Sequence, residues 1–314
     1  MGKAWLGAAV VVLAHAGCAG CTRETTLAEL EPTLPSEERV ALDAILARAG
    51  VDASTLPARR ALVDFSWRRA ASYGQRKLGR QGEDSLGRGT WDLRNAVAVE
   101  GGHVVALRLA GTRIDDLGLF APLTHLVVLD LHDAAIARIQ GLVGLHALDS
   151  LDLSGNGLRR IEGLDDVPAL TTLALADEKI ARIEGLDHVP ALEVLDLSGN
   201  RVARIEGLDH VPRLTTLSLQ RTAVARIEGL DVLPDLVDLD LSFCPVRRLD
   251  NLGTMPKLRY LNLWHDRVRT LDGLEDATPE LVYIGLGEND CWLGDPHNVS
   301  LCDRYCDFRM IAFF

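Results

Sequence analysis

A repeat of 22 residues constrains the fold of this chain more than any other feature. The period begins at Val104 and continues, after one inserted residue, to Leu281. Most copies open with the pattern L-x-x-L-x-L, as at 148–153 and 192–197. Alternation within this pattern predicts a short strand with one buried face. Because one such unit cannot bury its own leucines, neighbouring units must stack, and the sequence therefore predicts a solenoid.

A second recurring element identifies the class of repeat that the chain resembles. Ile-Glu-Gly-Leu occurs at 161–164, 183–186, 205–208 and 227–230. Together with L-x-x-L-x-L, it resembles the 22-residue leucine-rich repeats of bacterial internalins and of a regulatory subunit of a type-one protein phosphatase. The resemblance covers roughly residues 104–290. It implies an α/β solenoid, a leucine-rich-repeat horseshoe with a parallel concave β-sheet, an N-terminal helical cap and a small C-terminal cap.

The segments outside the repeats divide the rest of the chain. Ser36 and the acids after it predict a helix that ends at Gly50, and a second helix is predicted from near Pro57 to about Tyr73. A hairpin is predicted to turn at Gly101-Gly102. The predicted organisation is an export signal (1–21), a tether (22–35), a helical and hairpin cap (36–103), about nine repeats (104–289) and a C-terminal cap (290–314).

The first 21 residues predict export from the cytoplasm. A lysine precedes an apolar run that is too short to span a membrane, and small residues and cysteines follow it. The ending resembles the lipobox of bacterial lipoproteins, which implies acylation of Cys18, or else of Cys21, and a membrane anchor on the periplasmic or cell-surface side. Ordinary signal-peptide cleavage is the alternative. Either interpretation places the mature chain in the cell envelope or beyond it, where disulfides persist.

Charge and motif content exclude several classes of function. The net charge is −12, from 33 basic and 45 acidic side chains, which argues against a nucleic-acid partner. The sequence has no G-x-S-x-G, H-E-x-x-H or Walker-type motif. We therefore expect no enzymatic activity and no cofactor.

Acidic residues recur at the fifth position of the repeat, where a strand residue points out of the concave face. They are Asp130, Asp152, Asp196 and Asp240. Projecting side by side, they would repel one another and form an acidic strip that attracts a cationic partner. The alternative is that they only keep the sheet soluble. No loop has a recognisable calcium-ligand pattern.

Aromatic residues concentrate at the C-terminal end of the same face. They are Phe243, Tyr260, Trp264 and Tyr283. Exposed aromatic side chains commonly anchor partners, so this group predicts a binding patch. The alternative is that the C-terminal cap folds over them.

Two further predictions concern the turns and the tail. The ninth repeat position commonly holds an asparagine that bonds to the turn, so we expect looser turns at Ala134 and Glu178 and a structural thiol at Cys244. In the tail we expect a disulfide between Cys291 and Cys302 or Cys306. A zinc site formed by the three tail cysteines with His297 is the alternative.

These features predict a non-catalytic, exported module that binds a protein, or a glycan, on its concave face and reaches the membrane through a lipid anchor. A structural envelope component without a specific ligand is one alternative. A regulatory or inhibitory subunit of an enzyme is the other.

Overall fold

One continuous sheet organises the computed structural model, which describes residues 25–27, 33–54, 56–59, 95–249, 252–272, 274–287 and 289. Its twelve strands are hydrogen-bonded in chain order. At the N-terminal end lie β1 (Thr25–Thr26), α1 (Ser36–Ala49), β2 (Pro57–Arg59), β3 (Asn95–Glu100) and β4 (His103–Leu109). The later strands are β5 (Val128–Asp130), β6 (Ser150–Asp152), β7 (Thr172–Ala174), β8 (Val194–Asp196), β9 (Thr216–Ser218), β10 (Asp238–Asp240), β11 (Tyr260–Asn262) and β12 (Tyr283–Gly285). A 3₁₀ helix (Leu117–Phe120) and α2 (Leu274–Ala277) lie between strands.

The strands β4 to β12 confirm the predicted parallel solenoid. Each pairs in parallel with the next and in register with the repeat, as in Leu129↔Leu151 and Leu195↔Leu217. The middle leucine of a strand points inward and is fully buried in both of these pairs. Together with the other repeat leucines it joins a hydrophobic core that continues from the N-terminal cap to the last described repeat. Stacking is therefore what buries the leucines that no single repeat could cover.

The N-terminal cap is partly as predicted. The helix α1 buries Leu42 and Ile45 and ends at Gly50, whose φ of 67° is left-handed. The strands β3 and β4 form the predicted antiparallel hairpin. One prediction is wrong at its start: the structure has the strand β2 where a second helix was expected to begin, and the rest of that helix lies outside the described residues.

The glycine of Ile-Glu-Gly-Leu brings neighbouring repeats into close backbone contact. Gly185 has a φ of 74°, and a Cβ there would overlap the carbonyl oxygen of Ile161 in the preceding repeat. Gly163 and Gly207 meet Ile139 and Ile183 in the same way. The motif therefore contains glycine for two reasons, because its backbone is left-handed and because the adjacent repeat leaves no room for a side chain.

The ninth repeat position is a hydrogen-bonding ladder even where asparagine is missing. Oδ1 of Asn156 accepts from the backbone N–H of Ile136 at 2.9 Å. The prediction of a looser turn at Glu178 is wrong in this respect, because its carboxylate accepts from the N–H groups of Asn156 and Leu158 and replaces the absent amide. At Ala134 the backbone carbonyl takes this role by accepting from Ile114.

Candidate functional site

Each aspartate at the fifth repeat position closes the turn that follows its strand. Its carboxylate accepts a hydrogen bond from the backbone N–H two residues later. The distances are 3.1 Å from His132 to Asp130, 2.8 Å from Ser154 to Asp152, 2.9 Å from Ser198 to Asp196 and 2.8 Å from Ser242 to Asp240. These residues therefore have a structural role that the sequence analysis did not anticipate.

The predicted acidic strip is less exposed than expected. Asp130 and Asp152 are buried, and Asp196 and Asp240 are half-buried. Asp130 is also compensated, because Arg108 Nε lies 2.7 Å from Oδ2 and His132 Nδ1 donates to Oδ1 at 2.7 Å. The prediction of four exposed carboxylates is therefore wrong for the first two. The neighbouring strands and the backbone N–H groups of the following turns enclose both carboxylates.

Burial changes the protonation of this face. It raises the pKa of Asp152 to about 6, with the Asp130 charge adding to the shift. Burial also raises the pKa values of Asp196 and Asp240, and repulsion from Asp240 contributes to the shift at Asp196. The expected repulsion between neighbouring carboxylates is thus present. Near neutral pH the face carries less negative charge than its sequence suggests.

Asp238 differs from the other acidic residues of the face. It lies at the third repeat position, in register with Tyr260 of the next strand, and is 7% exposed. Its carboxylate makes no hydrogen bond or ion pair with any described residue. Burial and the charge of Asp240 raise its pKa to about 7. A largely buried carboxylate without a compensating group is costly, and a cation placed beside it would offset that cost.

The aromatic residues form one cluster and one separate pair. The rings of Phe243 and Trp264 meet edge to face with centroids 5.6 Å apart, and the His265 ring lies 4.9 Å from Phe243. Phe243 is 40% exposed and Trp264 is half-buried. Tyr260 is half-buried and pairs in register with Tyr283, which is buried. The predicted exposure is thus confirmed for Phe243 and wrong for Tyr283, while a role of these residues in binding stays a prediction. We call Phe243, Trp264 and His265 the aromatic cluster.

The backbone holds this cluster in an unfavourable conformation. Phe243 and His265 have φ values of 61° and 60° at the eighth repeat position, where Gly155 and Gly199 stand in other repeats. A left-handed conformation costs a residue with a side chain about 1–2 kcal/mol. Trp264 in turn lies against Gly287, where a Cβ would overlap its indole nitrogen. The same left-handed conformation occurs at Asp133, Asp177 and Arg221, so it belongs to the turn of the repeat and is not specific to the cluster.

The cysteine predictions have different outcomes. Cys244 is buried, its thiol donates to the carbonyl of Leu219 at 3.1 Å, and burial raises its pKa to about 11, in keeping with a structural thiol. The other cysteines for which a role was predicted lie outside the described residues. They are Cys18, Cys21, Cys291, Cys302 and Cys306.

Two groups of potential metal ligands, which the sequence analysis missed, converge in the described part of the chain. They are Glu38 with His103 and His125, and Asp130 with His132 and Asp152. In each group the candidate ligand atoms lie within 4.8 Å of one another. Residues far apart in sequence form the first group, so no motif with characteristic spacing could have revealed it.

Comparison with known proteins defines the class. The leucine-rich repeat family profile matches residues 119–229. The 22-residue period, the parallel sheet and this match together make the chain a leucine-rich-repeat protein.

Individual proteins resemble the chain in fold only. Internalin C2 of Listeria monocytogenes gives a TM-score of 0.54 at 24% sequence identity, over 59% of this chain and 81% of that one. Another internalin of the same organism, inlF, gives 0.47 at 19% identity, over 64% and 68% of the two chains. No curated protein matches the sequence. Within the described residues, no helix has both the length and the apolar character needed to cross a bilayer.

Proposed function

We propose that this protein is an exported, non-catalytic binding module that recognises a protein partner with the C-terminal half of its concave face. The observation that carries the proposal is the aromatic cluster, in which a 40%-exposed Phe243 packs against a half-buried Trp264. Large aromatic side chains are enriched among the residues that dominate binding energies. The stacked repeats hold these rings in place before a partner arrives, which lowers the entropic cost of binding.

The acidic residues beside the cluster indicate what the partner presents. Asp238 is a buried carboxylate with no compensating group among the described residues, and it is in register with the ring of Tyr260. A lysine or arginine side chain would satisfy the carboxylate and could contact the aromatic face. We therefore propose that the partner inserts a cationic side chain there, while Asp196 and Asp240 favour its approach electrostatically.

The remaining predicted site residues take secondary roles in this proposal. Tyr283 supports Tyr260 from the adjacent strand and does not itself contact the partner. Asp130 and Asp152 contribute only to the field of the face, because both are buried. A glycan that stacks on the aromatic rings is the alternative ligand, and it would not need Asp238.

Export and lipid anchoring are supported by the sequence alone. The apolar run before residue 18 and the Ala-Gly-Cys sequences at 16–18 and 19–21 are typical of lipoprotein signals. We propose that Cys18, or else Cys21, is acylated. Labelling cells with a fatty-acid analogue checks this, with Cys18→Ala and Cys21→Ala variants compared side by side. Labelling that persists in both single variants and in the double variant would contradict the proposal.

Truncation of the aromatic cluster is expected to abolish partner capture. The mature protein is used as bait against an envelope extract and a glycan array, beside a Phe243→Ala/Trp264→Ala double variant. Interface anchors contribute about 2 kcal/mol or more each and their effects are not strictly additive, so the double variant should lose between about 30-fold, the value for one anchor, and about 1,000-fold in affinity. Val143→Ala is the matched control, since Val143 is also an exposed apolar residue but lies outside the cluster. It should bind like the native protein.

A second variant tests the cationic contact. Asp238→Asn keeps the size of the side chain and removes its charge, so capture of a protein partner should weaken and become less dependent on salt. Equal capture by the native, double and Asp238→Asn proteins would contradict the proposed site. Failure of the native protein to capture any partner would favour a structural role in the envelope.

A further inference from the structure

We propose that Glu38, His103 and His125 form a binding site for a divalent transition-metal ion of the zinc type, at the junction between the N-terminal cap and the first repeat. The three residues come from three places in the fold. Glu38 lies in the cap helix α1, His103 begins β4, and His125 lies between the 3₁₀ helix and β5. This site is separate from the concave-face binding function and does not depend on it.

The glutamate is held in place as a metal ligand would be. It is 3% exposed, and its Oε2 accepts from the backbone N–H of Val104 at 2.8 Å. The other oxygen, Oε1, faces both imidazoles. His103 Nδ1 lies 2.6 Å from it and His125 Nδ1 lies 3.7 Å from it. A hydrogen bond that orients the far oxygen of a ligating carboxylate is a usual feature of metal sites.

The two histidines supply nitrogen ligands with access to solvent. Their rings stack with centroids 3.7 Å apart and an angle of 20° between planes, so both Nδ1 atoms are close to the same oxygen. The side chains are 34% and 54% exposed, which leaves a fourth position open to water. Two imidazoles, one carboxylate and a water are a common donor set for zinc.

The two distances from the histidines to Glu38 Oε1 lie within about 1 Å of those in a coordinated site. With metal–ligand bonds of about 2.0–2.1 Å in a tetrahedron, ligand atoms lie about 3.3 Å apart. His103 Nδ1 would move outward by about 0.7 Å and His125 Nδ1 inward by about 0.4 Å, with the rings tilting toward the ion. The exposed side chains have room for this. On binding, the proton that His103 Nδ1 now donates to Glu38 would leave Nδ1 and, through solvent, protonate Nε2, so that the neutral imidazole holds the ion.

The charge environment favours this group over the other candidate. In the group of Asp130, His132 and Asp152, Arg108 Nε already lies 2.7 Å from Asp130 Oδ2, so a cation would meet a guanidinium. Glu38 has no ion pair with a lysine or arginine among the described residues. Its negative charge is therefore available to a metal ion.

The test consists of two titrations of the untagged mature protein. Isothermal calorimetry measures the binding of Zn²⁺, and visible absorption monitors the binding of Co²⁺. The tail cysteines, whose alternative role is zinc binding, are first removed by a Cys291→Ser/Cys302→Ser/Cys306→Ser background, so that thiolates do not bind the ion. We expect one ion per chain and a Co²⁺ spectrum typical of nitrogen and oxygen ligands without thiolate charge-transfer bands.

Three variants in this background assign the ion to the site. His125→Ala removes an exposed ligand and should lower the affinity at least tenfold without affecting folding, which circular dichroism checks. Glu38→Gln keeps an acceptor for Val104 and should weaken binding comparably. His146→Ala is the matched control. That exposed histidine hydrogen-bonds to the carbonyl of Asp166, away from the site, so the variant should bind the ion as the background does. Unchanged affinity in His125→Ala, or binding that disappears in the Cys291→Ser/Cys302→Ser/Cys306→Ser background, overturns the proposal.

Discussion

Replacing Gly185 by alanine is expected to destabilise the solenoid by about 3 kcal/mol or more. The left-handed backbone accounts for about 1–2 kcal/mol of this. The rest comes from overlap between the new Cβ and the carbonyl oxygen of Ile161, which can be relieved only by separating two repeats. Urea unfolding followed by circular dichroism measures the effect as a shift of the midpoint to lower denaturant concentration.

Gly111→Ala separates the two causes. Its φ of 68° is close to that of Gly185, yet nothing lies within 4 Å of the position that a Cβ would occupy. This variant should therefore lose only about 1–2 kcal/mol, the cost of the conformation itself. If both variants lost the same amount, close contact between repeats would not be the reason for glycine in the Ile-Glu-Gly-Leu element.

The second large effect is a loss of stability as the pH rises from about 4 to about 8. Burial raises the pKa of four carboxyl groups within the repeats, to about 6 for Asp152, about 7 for Glu178 and Asp238, and about 8 for Asp266. In the unfolded chain these groups lose their protons near pH 4. The folded protein thus binds more protons across this interval, and its free energy of unfolding falls as the pH increases.

The expected size is about 2–4 kcal/mol between pH 5 and pH 8, well below the sum of the individual shifts because the groups are coupled and their surroundings relax. His132 acts in the same direction, since its hydrogen bond with Asp130 raises its pKa and the stability that the charged pair contributes is lost as the pH rises. Urea unfolding at the two pH values measures the effect. A free energy of unfolding that is equal at both would contradict it.

Asp238→Asn assigns part of this effect to one residue. The variant should be more stable than the native protein at pH 8, because the native chain must keep a charged carboxylate buried there. It should match the native protein near pH 4, where both side chains are neutral. An equal difference at both pH values would point to altered packing instead of charge.

The repeat architecture could be predicted from the sequence because its cause is local and periodic. Stacking requires an aliphatic residue at the strand centre, such as Leu151, and favours glycine where two repeats meet closely, as at Gly185. The hairpin at Gly101-Gly102 was predictable for the same reason, since a two-residue turn needs backbone conformations that glycine adopts readily.

The details of the concave face could not be predicted, because they depend on contacts between repeats. The period indicates that Asp130 points out of the sheet, but not that Arg108 and His132 cover it. It places Tyr283 on the face, although the side chain is buried in the folded chain. The Glu38 group was invisible for a simpler reason, since 65 residues separate Glu38 from His103.

The backbone contact between neighbouring repeats recurs with the same geometry, and this has an evolutionary consequence. The contact of Ile161 with Gly185 is the same as that of Ile183 with Gly207, one period later. Removing the 22 residues between these two contacts would therefore bring Ile161 against the glycine now numbered 207. Duplicating them would likewise add one repeat with the same contact at each end. A gene encoding such a chain can lengthen or shorten its parallel sheet through in-frame recombination events, while the N-terminal cap and the aromatic cluster are inherited intact.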